Sequence, residues 1–289
     1  MKKYVFTISG LKIRLHIEHM IFITESFEPF VLKNTEKADV DVFLEAKSDL
    51  KPMKGQCVYE EFFFKIYEKE SKYNIGFYDR EKNEKLYASA LVVSDSEIRV
   101  SYLKEYADKF ANSRSCFMHF AFEELLMRHK RMMLHSSFIQ TKYGGLLFSG
   151  PSRIGKSTQA DLWKKYRNAE IINGDRTILK ETEGVWMGFG SPYAGSSRYF
   201  VNKSSRIAVI IFLEKGICNK IKKVSSADAF RKLYSQMMVN IWDRTYIENL
   251  SVEIEKLSEC TPVYEFSCTP DRDAVDYLDK FLDKEFRCE

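Results

Sequence analysis

The sequence predicts an α/β fold in which a phosphate-loop domain, residues 111–289, follows a β-rich N-terminal region of unassigned role, residues 1–110. Three observations predict it. The run Gly150-Pro151-Ser152-Arg153-Ile154-Gly155-Lys156-Ser157 fits the pattern of a glycine, four residues, then Gly-Lys-Ser. A short apolar run, Gly145–Ser149, enters it, and a helical stretch from Lys156 to Arg167 leaves it, with Ala160, Trp163 and Tyr166 spaced three apart. Upstream, the chain is rich in aromatic and β-branched residues in short runs bounded by turn residues.

Taken in order, Tyr4–Ile8 and Leu11–Ile17 read as strands joined at Ser9-Gly10, followed by Asp39–Leu44, Val58–Tyr67, Tyr73–Tyr78, Leu86–Val93 and Ile98–Leu103. The charged run from Asp79 to Lys85 reads as an exposed hairpin end. This region is either a substrate-recognition module or an extension of the sheet. Ser113 to His129 reads as one helix with Ser113 as its N-cap. A strand over Arg131–Gln140 then turns through Lys142-Tyr143-Gly144-Gly145 into the loop. Beyond the loop helix, Ala169–Asp175 is a short strand ending in an acidic residue. That strand–helix–strand order predicts a right-handed crossover between parallel strands. Asp175 and the loop then share the carboxyl edge of a sheet, where ligands bind in α/β folds. Further strands are expected at Val185–Phe189, Ile207–Leu213, Lys220–Val224 and Pro262–Ser267. Two helices close the chain, at 226–241 and 270–282, the second capped by Thr269 with Pro270 in its first turn.

Composition narrows the function classes. Hydrophobic residues are 45% and charged residues 30%, an ordinary globular balance, and 22 Phe with 16 Tyr supply an aromatic core. A net charge of +4 gives no argument for nucleic acid as a partner. No apolar run is long enough for a membrane span, and the N-terminus lacks the apolar core of a signal peptide. Six scattered cysteines without metal-ligand spacing suit free thiols in a reducing compartment, so the expected location is cytoplasmic and no structural zinc is expected. His16 and His19 have no third ligand in view, and Lys220, Lys222 and Lys223 read as one solvated strand face.

The loop pattern has a physical basis. Glycines let the backbone turn so that successive N–H groups face an anion, and the following helix adds the positive end of its dipole. Gly150, Ser152, Arg153, Ile154, Gly155, Lys156, Ser157 and Thr158 are therefore the candidate binding residues for a nucleoside triphosphate. Lys156 would reach the β- and γ-phosphates, and the Ser157 hydroxyl would ligate Mg²⁺. Asp175 is the candidate carboxylate for the same metal, because Mg²⁺ favours carboxylates together with substrate phosphates.

Leu134-His135-Ser136-Ser137, Gly145, the loop, and Asn173-Gly174-Asp175-Arg176 together resemble the HPr kinase/phosphorylase catalytic domain, and more distantly the nucleotide-binding part of phosphoenolpyruvate carboxykinases. The resemblance spans residues 130–215 well and 216–289 loosely, and leaves out 1–105. It implies a PEP carboxykinase-like P-loop domain with a mixed sheet. It also implies ATP and Mg²⁺ as cofactors, and transfer of the γ-phosphate to a hydroxyl of a peptide or protein acceptor; relatives include enzymes that phosphorylate ribosomally made peptides. By the same resemblance, His135 stands near the catalytic carboxylate and the transferring phosphate. The segment from Ser191 to Arg198 lies near the acceptor, with Arg198 stabilising transferring charge; Arg176 and Arg206 compete for that role.

Two positions depart from the family. The family usually has adjacent aspartates where this chain has Gly174-Asp175, so one carboxylate serves both base and metal, or the base comes from elsewhere. Arg153 stands where the family loop commonly has glycine; it either bears strain at positive φ or adds a cation beside the phosphates. The rival readings are an ATP-binding regulatory protein that hydrolyses weakly or not at all, and a carboxykinase-type enzyme acting on a small acid. The oligomeric state stays open.

Overall fold

Ser9 and Gly10 both hold positive φ, 50° and 77°, the conformation of a tight hairpin turn. They reverse the chain between β1 (Lys2–Ile8) and β2 (Leu11–Ile17). The structure, a computed structural model, describes residues 1–33, 37–70, 72–195 and 197–286. It divides into two compact units: Met1–His129 with Asn240–Ile247, and Lys130–Val239 with the residues from Glu248 on.

The first unit continues with β3 (Val31–Leu32), β4 (Val40–Lys47), β5 (Gln56–Glu60), β6 (Phe64–Lys69), β7 (Lys72–Asp79), β8 (Lys85–Ser94) and β9 (Glu97–Leu103). They form one nine-stranded sheet in the order β3-β1-β2-β4-β9-β8-β7-β6-β5. β4 lies parallel to both β2 and β9, and the other pairs are antiparallel. The β-rich reading is therefore right, with one strand corrected. Val58–Tyr67 is two antiparallel strands, β5 and β6, because the chain turns back at Glu61, whose N–H donates to Phe64 O at 2.9 Å. Phe6, Phe27 and Phe117 pack edge-on and tilted with centroids 4.9–5.8 Å apart, burying the apolar face of β1.

The helix expected over 113–129 is two, α1 (Ser113–Met118) and α2 (Phe122–Arg128). Its cap is Asn112, which accepts from Ser115 N–H at 2.9 Å; Ser113 is already inside. The break follows from His119, whose Nδ1 lies 2.7 Å from Ser115 O and so occupies a carbonyl that a continuing helix would use.

The second unit holds β10 (Met132–Thr141), β11 (Gly144–Ser149), α3 (Lys156–Arg167), β12 (Glu170–Asn173), β13 (Arg176–Thr182), β14 (Val185–Phe189), β15 (Ser204–Lys215), β16 (Lys220–Lys223) and α4 (Ser226–Tyr234). After α5 (Arg244–Cys260) come β17 (Val263–Cys268) and α6 (Arg272–Glu285). Across the sheet the pairings run β12-β10-β11-β15-β17-β16. β15 is parallel to β11 and β17 is parallel to β15. β12 is antiparallel to β10, as β11 is, so β11 and β12 run the same way with β10 between them. β13 and β14 extend a second ladder from the start of β10 to the start of β15. Both sheets are mixed.

The core beside α3 and α6 is made by Phe148, Val209, Ile211, Phe266, Trp163 and Leu278, all almost fully buried. Three readings near the C-terminus change. The helix expected over 226–241 stops at Tyr234, and α5 was not foreseen. The cap of α6 is Asp271, which accepts from Ala274 N–H at 3.3 Å, and Pro270 precedes the helix. Thr269 cannot cap it, because its N–H and hydroxyl lie against Asn219 Oδ1 and its hydroxyl also donates to Asp271 at 2.8 Å. Among the described residues no helix is long and apolar enough to cross a membrane, and the five described cysteines form no disulfide.

Candidate functional site

The 150–157 loop leaves the carboxyl end of β11 and becomes α3 without a side-chain cap. Gly150 and Gly155 hold φ of 133° and 116°, where glycine is the favoured residue. A Cβ on Gly155 would meet nothing within 4 Å, so its freedom is used for backbone conformation and leaves open space above it. Arg153 holds φ 64°, which settles one question left by the sequence: it does bear the left-handed conformation, at a cost of order 1 kcal/mol. The first N–H groups of α3 have no intrahelical acceptor and carry the positive end of the helix dipole. Ser152, Arg153, Ser157 and Thr158 are exposed around this concavity.

Lys156 is buried, at 7% exposure. Its ammonium donates to Gly150 O at 2.8 Å and Pro151 O at 3.0 Å, folding back on the loop's own carbonyls. Burial pulls its pKa below the ordinary lysine value, and the charge of Asp175 opposes that shift. The two side chains are thus electrostatic neighbours.

Asp175 follows β12, two strands from the loop. His135, near the start of β10, reaches the same edge because β10 runs antiparallel to both neighbours. His135 Nε2 lies 3.2 Å from Asp175 Oδ1, and Arg176 Nε lies 3.7 Å from Asp175 Oδ2. The His135 hydrogen bond, against the opposing effect of burial and with help from Arg176 and Lys156, holds the Asp175 carboxyl below the usual carboxylate range. Backbone bonds fix the frame: His135 N–H donates to Gln236 O at 2.9 Å, and Ser136 N–H to Asp175 O at 3.0 Å.

Asn173, assigned no role from the sequence, organises this corner. It is fully buried. Its Oδ1 accepts from the N–H groups of Asp175 and Arg176 at 2.9 and 2.7 Å, and its Nδ2 donates to Ser191 O at 2.9 Å and Tyr193 O at 3.3 Å. One side chain therefore ties the turn carrying Asp175 to the 191–198 segment. An asparagine at a strand end, two residues before a candidate carboxylate, was the available signal.

The 191–198 segment meets Asp175 through backbone. A Cβ on Gly195, which holds φ 57°, would stand 3.0 Å from Asp175 Cγ. A Cβ on Gly174 would stand 1.8 Å from Ser197 Oγ. Ser197 therefore occupies the space that a side chain at 174 would need. Arg198 is exposed with φ 57°, Arg206 is exposed on β15, and Ser196 lies outside the described residues. Among the described residues, the guanidinium beside the Asp175 carboxylate is that of Arg176.

The donor set fits a magnesium ion only with help from a ligand. Among the described residues no cluster of three or more His, Cys, Asp or Glu is arranged to hold a metal. One carboxylate and the Ser157 hydroxyl suit a cation whose remaining ligands are phosphate oxygens and water.

No family model matches the chain, and no curated protein matches it. Among solved structures, the HPr(Ser) kinase/phosphatase from Coxiella burnetii matches with 12% identity and a TM-score of 0.34, over 53% of this chain and 97% of that chain. A likeness that loose carries no functional argument, so function is read from the site itself.

Proposed function

We propose that the 150–157 loop binds the phosphates of ATP, and that the protein transfers the γ-phosphate to a hydroxyl of a peptide or protein acceptor. The observation that carries this reading is the convergence, at one sheet edge, of a glycine-shaped loop at a helix N-terminus, a buried lysine in that loop, and the His135–Asp175 pair. In this reading the amides at the start of α3 hold the α- and β-phosphates, and Lys156 leaves its loop carbonyls to meet the β- and γ-oxygens. Ser157 and Asp175, together with the phosphates, would hold Mg²⁺, which would supply positive charge against the transferring group. The acceptor oxygen forms a bond to the γ-phosphorus as the bond to the β-phosphate oxygen breaks, and the acceptor proton passes to Asp175 or through it to His135. Arg176, at 3.7 Å from the carboxylate, adds positive charge at that point.

One observation favours a second reading, an ATP-binding regulatory protein. Ser197 excludes a second carboxylate at position 174, leaving one acidic group for two tasks. Measuring ATP consumption with and without a panel of hydroxyl-bearing peptides separates the two. Peptide-dependent release of ADP supports the kinase; saturable ATP binding with no ADP released under any condition supports the regulatory protein and overturns the kinase.

A further inference from the structure

The cavities that touch the 150–157 loop belong to the site already proposed. Another, of about 410 Å³, is lined only by residues of the first unit. That volume falls in the range of small-molecule sites, roughly 300–1,000 Å³. It opens at the hairpin end of β6 and β7, with walls from α2 and from the residues that start α5. Glu68 and Tyr73 stand opposite each other on the β6–β7 ladder and so share one face of the sheet. Glu124 and Arg128 stand one turn apart on α2. Val92 of β8 adds an apolar wall, and Asp243 lines the cavity just ahead of α5.

Three carboxylates line it: Glu68, Glu124 and Asp243. Glu124 is 8% exposed and Asp243 9%. Arg128 donates from Nε and Nη2 to Glu124 Oε1 at 3.0 and 2.7 Å, and from Nη1 to Asp95 Oδ1 at 3.0 Å, so its guanidinium is engaged. Both bonds to Glu124 go to one oxygen. Its Oε2 has no hydrogen-bond partner among the described residues, and it is not sealed in the interior, so it meets the cavity. Burial raises the Glu124 pKa against the pull of Arg128, and the charge of Asp243 adds to the rise. Asp243 Oδ1 accepts from Tyr246 N–H at 3.0 Å. Among the described residues Glu68, Asp243 and the exposed Lys72 at the rim are in no ion pair. Burial, then the charges of Asp243, Glu68 and Glu124, raise the Tyr73 pKa, so one hydroxyl stands within the field of all three acids. The cavity thus gathers like charge that an entering cation would relieve.

We infer that this cavity binds a guanidinium group, carried by a small molecule or by an arginine side chain of a peptide. The site stands apart from the loop and from triphosphate binding. Two observations choose the group. The three acids do not converge tightly enough to hold a metal ion, so the cation is one that spreads its charge over several atoms. A guanidinium does so: its planar fork of N–H donors reaches separate carboxylates at once, where an ammonium is a compact point charge. Val92 and the ring of Tyr73, both on the lining, suit the aliphatic stem behind such a head group.

Calorimetric titration of the full chain tests this, using N-acetyl-arginine amide, its lysine counterpart and its neutral citrulline counterpart. The arginine compound is expected to bind about tenfold tighter than either of the others. This comparison needs no substitution. The double variant Glu68→Gln, Asp243→Asn is expected to lose the preference. Asparagine keeps an acceptor for the Tyr246 N–H, and a thermal melt checks that the variant is folded. Butylguanidine and the peptide Gly-Gly-Arg-Gly-Gly distinguish the two sources: equal affinity means that the head group and stem alone are recognised, and tighter binding of the peptide means that the cavity takes an arginine in a chain. No binding at millimolar concentration, equal affinity for the arginine compound and either counterpart, or a preference that survives in the folded double variant overturns the proposal.

Discussion

Asp175 depends on its neighbours for its charge, and this makes it testable by pH. Its folded pKa lies below the unfolded value of about 3.9. The sign follows: the stabilisation it brings is present above that unfolded value and is lost as pH falls through the lower folded one. Asp175→Asn should therefore flatten the acid side of the stability–pH profile below about pH 4, read by thermal melting across pH 2–7. An unchanged acid limb would contradict the His135 contact. The same variant should lose phosphoryl transfer while ATP affinity stays within a few-fold. At position 174, Gly174→Ala should destabilise by about 1–3 kcal/mol, because its methyl meets Ser197; adding Ser197→Gly should recover most of that loss. Recovery in the double variant, measured by denaturant melts, is the sign that the two positions share one space. His135 stands against Asp175, the neighbour that the resemblance gave it, and Asp175 lies beside the loop, at the edge where the strand–helix–strand order put it. The Gly174–Ser197 contact was not legible in the sequence, because it joins residues about twenty positions apart, and of Asn173 only its place at a strand end was readable, not its bonds to Ser191 and Tyr193.

At the scale of elements, α6 packs against α3, the loop helix, over the sheet. Arg167 on α3 bonds Asp279 at 2.6 Å and Asp276 at 2.7 Å on α6, and Tyr143 adds a hydroxyl bond to Asp279 at 2.8 Å. Arg167→Ala should cost about 1–2 kcal/mol, while Leu278→Ala, at a fully buried position, should cost about 2–5 kcal/mol. Chemical denaturation distinguishes them: comparable losses would mean that the ion pairs, not the apolar contact, dominate this packing. Elements were most readable where one local rule governs. Val185–Phe189 matches β14 residue for residue, and β1 and β2 follow from a two-residue turn. Where a side chain competes with the backbone the reading failed, as at His119 between α1 and α2. In α5 the signal was present, since Tyr246, Leu250, Ile254 and Leu257 are buried at helical spacing.

For the whole molecule, the β-rich first part and the α/β second part were visible from composition and from the strand–loop–helix order. The sheet order was not. Sequence gives β11, α3 and β12 in succession, but only long-range pairing inserts β10 between the two strands and so brings His135 to the edge where Asp175 stands. A ligand that binds only the folded loop stabilises the fold by mass action, by ~2.7 kcal/mol at one hundred times its Kd. Mg²⁺ with ATP should therefore raise the melting temperature by several degrees. The most direct test of the account is calorimetric titration of Mg²⁺–ATP into the intact protein and into Lys156→Ala. The account predicts saturable binding by the native chain, weakened about tenfold or more in the variant. Tight binding that survives Lys156→Ala unchanged would place the nucleotide elsewhere and contradict it.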